Sequence, residues 1–402
     1  MTDRFDGNFT QQEPIPEEAI AAAVAALRHG RLHRYNTGPG EAGEAALLEQ
    51  DFAAFTGARY CLAVASGGYA LACALRAVDV APGEAVLTNA FTLAPVPGAI
   101  ASVGARPLFV EVTDDLVIDL DDLARKADGE GGARVLLLSH MRGHICDMDR
   151  LMEIAGAAGL TVIEDCAHTM GASWRGVASG RHGLIGCYST QTYKHLNSGE
   201  GGLMICDDAQ VMARAILLSG SYMLYERHLA APGPEAFAGL RLDVPNISGR
   251  MDNLRAAILR PQLARLPERV TAWNARHDAV TEGLADVPGL RLVPRLPQAE
   301  PVGSSFQFLL PGWPGGRVAA LVAACLARGV ELKWFGAPEP AGFTSRYDHW
   351  RYAAPGPLPR TDAVLAGLLD MRLPLTFSLA DCAQIARILR QEVTRHHDGA
   401  AG

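Results

Sequence analysis

The sequence predicts an α/β fold, with a large domain on a mainly parallel sheet and a smaller C-terminal α/β domain. In the first half of the chain, short apolar and β-branched runs alternate with helical patterns. This alternation is typical of parallel strands covered by helices on both faces. The length of 402 residues exceeds the size at which one hydrophobic core usually stops growing, so two domains are expected.

The predicted elements of the large domain follow one another in a regular order. Strands are predicted at 60–64, 85–88, 107–110, 134–138 and 160–163, and helices at 65–78, 93–103, 120–126 and 148–158. After Met204 the strand pattern stops. A helical pattern then runs from Met251 towards Leu284, and Pro261 and Pro267 should kink or divide it.

Glycine and proline pairs separate short elements beyond this long pattern. We therefore divide the chain into an N-terminal helical segment (1–30), a large domain (31–265) and a small C-terminal domain (266–402). A helix at about 17–27 has nothing of its own to bury against. It should pack on one of the domains or on a partner subunit.

Composition narrows the function classes. The formal charge of −8 argues against nucleic acid as a partner, because binding to phosphate backbones needs clustered cations. No apolar run reaches the roughly 20 residues of a membrane span, and the N-terminus does not resemble a secretory signal. The eight cysteines form no CxxC pair and lie in apolar runs, which indicates reduced core thiols. We expect a cytoplasmic protein that acts on small molecules.

Lys194 lies in a polar segment flanked by glycines, and Asp165 ends a hydrophobic strand upstream. A lysine that can form a Schiff base, together with a carboxylate that keeps a ring nitrogen protonated, is what a pyridoxal phosphate enzyme requires. His168 could hydrogen-bond the ring hydroxyl. The alternatives are a solvated surface lysine and a helix-capping Asp165 with an incidental histidine.

The run Ser66-Gly67-Gly68 follows a predicted strand and opens a helix. Small residues at a helix start allow a phosphate to approach the free N–H groups. The same run is also common in turns, and the two interpretations have equal weight.

Other site chemistries have little support. His140 and His144 have the spacing of metal ligands on a helix, but Gly143 between them favours a loop, so no metal is predicted. There is also no G-x-S-x-G elbow of a serine hydrolase.

Taken in order, these stretches resemble the DegT/DnrJ/StrS aminotransferases, which are fold type I pyridoxal phosphate enzymes. The stretches that carry the resemblance are 48–52, 56–57, 64–71, 82–84, 91–92, 104–107, 143–149, 164–168, 189–202, 250–251 and 256–257. The resemblance covers roughly residues 35–270 and is thinner beyond. It implies a seven-stranded, mainly parallel sheet and the cofactor pyridoxal 5′-phosphate.

Carried over by position, the resemblance assigns roles to individual residues. Lys194 would bind the cofactor covalently and then move the proton. Asp165 would hold the pyridinium, and His168 would contact the ring oxygen. Ser66, Gly67, Gly68 and Ser189 would bind the phosphate, and Leu93 would pack on the ring. Family members are dimers with shared sites, so Asn246 and Ser248 would serve the partner subunit.

Three features depart from the family pattern. Gly68 replaces a threonine and is followed by the bulky Tyr69. Leu93 stands where an aromatic residue is common, with Phe91 two positions earlier. The segments 332–336 and 343–347 do not resemble the tyrosine- and histidine-rich stretch associated with nucleotide-sugar substrates. Arg346, Tyr347, His349 and Trp350 are candidate substrate contacts, although surface structure is the preferred interpretation.

The sequence therefore predicts an aminotransferase that moves an amino group from glutamate or glutamine to a keto-sugar, an inosose or a similar small intermediate. One alternative is a deoxysugar dehydratase, although those relatives replace the lysine by histidine. The other is a regulatory protein that binds the cofactor without catalysis.

Overall fold

The computed structural model describes residues 3–129 and 132–398. Its strands are β1 (Tyr60–Val64), β2 (Ala85–Asn89), β3 (Arg106–Val110), β4 (Val135–Ser139), β5 (Thr161–Asp165), β6 (Ser173–Trp174), β7 (Val177–Ala178), β8 (Ile185–Ser189), β9 (Gly202–Cys206), β10 (Arg291–Leu292), β11 (Ala299–Glu300), β12 (Ser305–Leu309), β13 (Lys333–Trp334) and β14 (Leu368–Arg372). Seven of them form the main sheet, in the order β1-β9-β8-β5-β4-β2-β3. β9 runs antiparallel to both of its neighbours, and the other four pairings are parallel. The predicted α/β fold with a seven-stranded, mainly parallel sheet is confirmed.

Twelve α-helices accompany these strands in the described ranges. They are α1 (Glu17–His29), α2 (Glu44–Thr56), α3 (Gly67–Ala77), α4 (Pro95–Ser102), α5 (Leu120–Ala127), α6 (Met148–Ala157), α7 (Ala209–Leu218), α8 (Asn253–Ala264), α9 (Leu266–Leu284), α10 (Gly315–Ala327), α11 (Pro359–Ala366) and α12 (Leu379–Asp398). Aspartate caps the N-termini of α5, α6, α7 and α8 by accepting backbone N–H bonds, as expected for this residue.

The main sheet is buried on both faces because its strands are apolar at successive positions. Leu136 and Leu138 of β4 point into one core with α2, α6 and α8, whereas Val135 and Leu137 point into the other with α3, α4 and α7. The continuous run of apolar residues in β4 is therefore what a doubly covered parallel strand requires.

A second, antiparallel sheet has the order β10-β12-β14-β13 and packs on α9, α10 and α12. Phe5 and Phe9 extend into this core and meet the edge of Phe377. The N-terminal helix α1 packs on α8, one of the two placements expected for it. A third sheet, β11-β6-β7, joins residue 300 to residue 173.

The long helical pattern is divided at Arg265, between α8 and α9. Pro261 lies inside α8, and Pro267 lies in the first turn of α9, where a missing N–H costs little. The proposed domain boundary near residue 265 falls at this junction and stays a prediction. The short strands β6 and β7 were not predicted from the sequence, because two-residue strands carry no periodic signal. Helix α7 and strand β8 were not predicted either.

Candidate active site

The ends of several strands meet at one edge of the main sheet. β1, β4, β5 and β8 run in the same direction, so Ser66, Ser139, Asp165 and Ser189 lie at or just beyond their C-terminal ends. This is the edge at which α/β sheets bind ligands. Lys194 follows β8 by five positions and reaches the same place.

Hydrogen bonds hold the Asp165 carboxylate in one orientation. Ser139 Oγ donates to Oδ2 over 2.9 Å, and the backbone N–H of Ala167 donates to Oδ1 over 3.1 Å. Thr92 Oγ1 in turn donates to Ser139 Oγ over 2.8 Å. The carboxylate is buried but lines a cavity, so it can face a cationic ring nitrogen without reorganising.

Lys194 and His168 are in contact, with Nζ 3.0 Å from Nε2. Burial lowers the pKa of Lys194 to about 7, Asp165 acts in the opposite direction, and Arg142 acts with burial. Burial, followed by the charge of Lys194, also holds the pKa of His168 well below its usual value. Near neutral pH a substantial share of the lysine is therefore the free amine, which is the nucleophilic form.

A cradle of small residues lies at the start of α3. Ser66 Oγ accepts the N–H of Tyr69 over 3.1 Å, which leaves the first N–H groups of the helix directed at the cavity. A Cβ on Gly67 would lie 2.8 Å from Cβ of Ser189, so this position has no space for a side chain. The position of Gly68 differs, because a Cβ there would make only ordinary contacts with Pro95 and Ser66.

One open cavity connects these groups. Its volume, including the part continuous with solvent, is about 1340 Å³. The predicted site residues Ser66, Gly67, Gly68, Leu93, His168, Ser189 and Lys194 line it, and Asp165 lines the adjoining niche next to His168 and Lys194. Leu93, not Phe91, faces the cavity, since Phe91 is buried against the ring edge of Phe335.

Asn246 and Ser248 do not line this cavity. They belong to a segment that pairs with the end of β1 through the bond from Ala65 N to the Gly249 carbonyl. Tyr69 holds the segment, because its hydroxyl donates to the carbonyls of Leu218 and Ile247. A Cβ on Gly249 would lie 2.0 Å from the Tyr69 ring. The bulky Tyr69 therefore has a structural role.

Three cations on the cavity wall were missed by the sequence analysis: Arg142, Lys333 and Arg372. Arg142 follows β4, whereas the other two lie on β13 and β14 of the second sheet. No motif joins positions so far apart in the chain, so only the position of Arg142 after a strand could have indicated one of them.

The four candidate substrate contacts in the C-terminal part do not line the cavity. Arg346 is paired with Asp348 and Asp362, and Tyr347 and Trp350 are buried. Their interpretation as structural residues agrees with these contacts. Their neighbours Phe343 and Ser345 line the cavity instead.

His140, Glu164 and Cys166 place ligand atoms close together. Glu164 already accepts bonds from His140 and from the backbone N–H groups of 180, 182 and 183. Burial also raises the pKa of the Cys166 thiol. These contacts explain the cluster as a hydrogen-bonded core that braces β5.

Comparisons with known proteins agree with this geometry. The profile of the DegT/DnrJ/EryC1/StrS aminotransferase family matches residues 14–390. A dTDP-3-amino-3,4,6-trideoxy-alpha-D-glucose transaminase from Streptomyces venezuelae is 31% identical over 301 residues, covering 73% of this chain and 72% of the relative. An L-glutamine:scyllo-inosose aminotransferase from Streptomyces griseus is 32% identical over 242 residues, covering 58% and 54%. The match spans about two thirds of the length of the first curated relatives.

A crystal structure of S. venezuelae DesV in complex with a ketimine intermediate superposes with a TM-score of 0.78. It is 26% identical, and the match covers 94% of each chain.

These comparisons indicate pyridoxal phosphate as the cofactor, and the cavity fits it. Gly67 and Ser189, which pack closely, would hold the phosphate, and the fixed carboxylate of Asp165 would face the ring nitrogen. Lys194 lines the same niche. No helix among the described residues is long and apolar enough to cross a bilayer.

Proposed function

The chain belongs to the DegT/DnrJ/EryC1/StrS aminotransferase family and is an enzyme that uses pyridoxal phosphate, and we propose that it moves an amino group from glutamate or glutamine to a cyclic keto acceptor. The observation that carries the proposal is the contact of Lys194 with His168, in the niche that Asp165, Gly67 and Ser189 also line. Keto-sugars and inososes are the acceptor classes that the family relatives support.

When bound, the cofactor supplies an electron sink that stabilises the carbanion formed next to the amino group. The protein supplies position and proton transfer. Asp165 would hold the ring nitrogen protonated, and the residues of the cradle would hold the phosphate. Lys194 would attach the cofactor and, once released by the amino donor, would move a proton as general base and acid. His168 would keep the amine oriented through its 3.0 Å contact.

The retained lysine weighs against the dehydratase alternative. A dehydratase of this family has histidine at the lysine position, whereas here His195 does not line the cavity and contacts Ser304. A regulator that binds the cofactor would also keep the lysine, so titration with an amino donor distinguishes this alternative.

We also propose a homodimer in which Asn246 and Ser248 reach the site of the partner subunit. Five large apolar side chains are exposed around this segment: Tyr222, Met223, Leu229, Leu242 and Ile247. An apolar surface of this kind is typical of an interface.

The eight cysteines are buried free thiols, which supports the predicted cytoplasmic location.

The proposal is tested by titrating the holoenzyme with L-glutamine and L-glutamate. We expect the visible band of the lysine-bound cofactor to bleach and to return when a keto-sugar or inosose is added. Lys194→Ala should lower turnover at least about 10³-fold, whereas Lys126→Ala, at a lysine paired with Asp122 on α5, should not. Full turnover in Lys194→Ala would contradict the assignment. Bound cofactor that no donor bleaches would favour the regulatory alternative.

A further inference from the structure

The three cations missed by the sequence analysis form one cluster on the cavity wall. Lys333 on β13 is paired in register with Asp370 on β14, and Arg372 follows on the same face two residues later. Arg142 approaches from the large domain and binds Asp370 Oδ2 over 2.7 Å. One carboxylate therefore stands among three cations, which leaves the cluster with two formal positive charges.

Two donors of this cluster have no hydrogen-bond partner among the described residues. They are Lys333 Nζ and Arg142 Nε, and both atoms are shielded from solvent. Lys333 Nζ lies 3.9 Å from Asp370 Oδ2, which is too far for a hydrogen bond. Unpaired buried donors are costly. Their retention beside a cavity indicates that a ligand completes them.

The backbone is strained at the same place. Arg142 has φ 57° and ψ 19°, a left-handed conformation that is unfavourable for a non-glycine residue. The next residue, Gly143, also has positive φ and lies against the carbonyls of Val302 and His168. This turn directs the guanidinium of Arg142 to Asp370 and the cavity, which accounts for the retention of the strain.

The use of lysine at position 333 is also informative. The chain has only three lysines, at 126, 194 and 333, among 36 basic residues, and two of them line this cavity. A lysine offers a compact point charge on a flexible stem, whereas arginine offers a rigid fork. Arg372 lies over the Tyr193 ring, 3.5 Å from its centroid, and this contact fixes its position.

We propose that Lys333, Arg142 and Arg372 form a subsite for a carboxylate group of the substrate. The niche lined by Gly67, Ser189 and Asp165 contains none of these three cations, although all of these residues except Asp165 line the larger cavity. We therefore assign the subsite to the substrate and not to the phosphate of the cofactor. The carboxylate is proposed to accept from the unpaired donors Lys333 Nζ and Arg142 Nε. The carboxylate belongs either to the amino donor or to the keto acceptor, and this last identification rests on the proposed function.

The direct test measures binding without turnover, by calorimetric titration of the holoenzyme with glutarate. We expect Lys333→Met to weaken glutarate binding at least about tenfold, whereas Lys333→Arg should keep most of the affinity. Arg125→Met removes an equal charge at an exposed position of α5 and should change nothing. No glutarate binding by the unaltered protein, equal affinity in Lys333→Met, or a clear preference for inorganic pyrophosphate would overturn the proposal.

Two further arms distinguish the sources of the carboxylate. If it comes from the donor, Lys333→Met should raise the L-glutamine concentration needed for half-maximal bleaching. L-Glutaminol lacks the carboxylate, so the concentration of L-glutaminol needed for bleaching should be the same in Lys333→Met and in the unaltered protein. If it comes from the acceptor, only a cyclic keto acid should lose affinity, and the matched cyclic ketone should not. Should no donor bleach the cofactor while Lys333→Met still weakens glutarate binding, the aminotransferase proposal fails and the subsite stands.

Discussion

At the scale of single residues, Lys194 experiences opposing influences. Burial disfavours its ammonium form, Asp165 favours it, and Arg142, Arg372 and Lys333 disfavour it. The balance places the pKa near neutrality, where the amine is reactive and can still regain a proton. The cavity thus tunes the lysine with the same cations that are proposed to bind the substrate carboxylate.

The pKa of Lys194 can be read directly, because the chain has three lysines and each should give one resonance after reductive ¹³C-methylation. We expect the Lys194 signal of the cofactor-free protein to titrate near pH 7 and the Lys333 signal near pH 8. Attachment of the cofactor should slow as the pH falls below about 7, because the amine becomes protonated.

Two variants give the sign of each influence on Lys194. Asp165→Asn should lower the pKa of Lys194, because it removes the charge that favours the ammonium form. Arg372→Met should raise this pKa. Opposite shifts, or a Lys194 signal that titrates near pH 10, would refute this explanation.

At the scale of elements, a buried ion cluster fixes the strand that carries the cradle. Glu49 of α2 accepts from Arg34 over 2.8 Å and from the N–H of Ala63 in β1, and it lies 3.0 Å from His228 Nδ1. Tyr35 bonds the other nitrogen of His228. Since β1 leads directly into Ser66 and Gly67, this cluster fixes the position of the strand that precedes the proposed phosphate cradle.

We predict that Glu49→Gln lowers the free energy of unfolding by about 3–5 kcal/mol, because it leaves a buried Arg34 without a counter-charge. Glu44→Gln, at a half-exposed pair with Arg260, should cost less than about 1 kcal/mol. Urea unfolding of both variants tests this difference. Equal losses would show that the buried cluster contributes no more than a surface pair.

The same cluster predicts how the free energy of unfolding changes at acid pH. In the folded protein the pKa of Glu49 is lowered to about 2, with Arg34 as the main cause acting against burial. The stabilisation is therefore complete above the unfolded value near 4.5 and is lost as the pH falls towards 2. Between these values the difference in stability between Glu49→Gln and the unaltered protein should narrow.

At the scale of the whole molecule, the substrate side of the site depends on contact between the two sheets. Phe91 of the large domain meets Phe335, which follows β13, with ring centroids 5.1 Å apart. Met141, Leu309 and Leu365 belong to the same apolar cluster. Through this cluster the second sheet packs against the main sheet near the end of β4, and this packing brings Lys333 and Arg372 close to Arg142.

The proposed dimer predicts that Leu242→Glu lowers the molar mass measured by light scattering to that of a monomer. Leu242 is 83% exposed beside Asn246, and a charge there would be buried on association. Cofactor retention should fall with it, since Asn246 and Ser248 would no longer reach a partner. Leu326→Glu, at an exposed position on α10, is the matched control. A monomeric unaltered protein would refute the prediction.

The sequence by itself determined five strands of the sheet and part of its ligand edge. Continuous apolar runs specify parallel strands, and a polar segment directly after a strand specifies a ligand edge, so Asp165 and His168 could be assigned to this edge from the pattern. Ser189 was placed beside Lys194 by the family resemblance, since strand β8 was not predicted.

Only the tertiary structure decided the rest of the site. Arg142, Lys333 and Arg372 converge because two sheets pack across an apolar cluster, and no local pattern encodes that contact. The pKa of Lys194 and the unpaired donor on Lys333 were decided in the same way, since burial and the distances between charges exist only after the chain has folded.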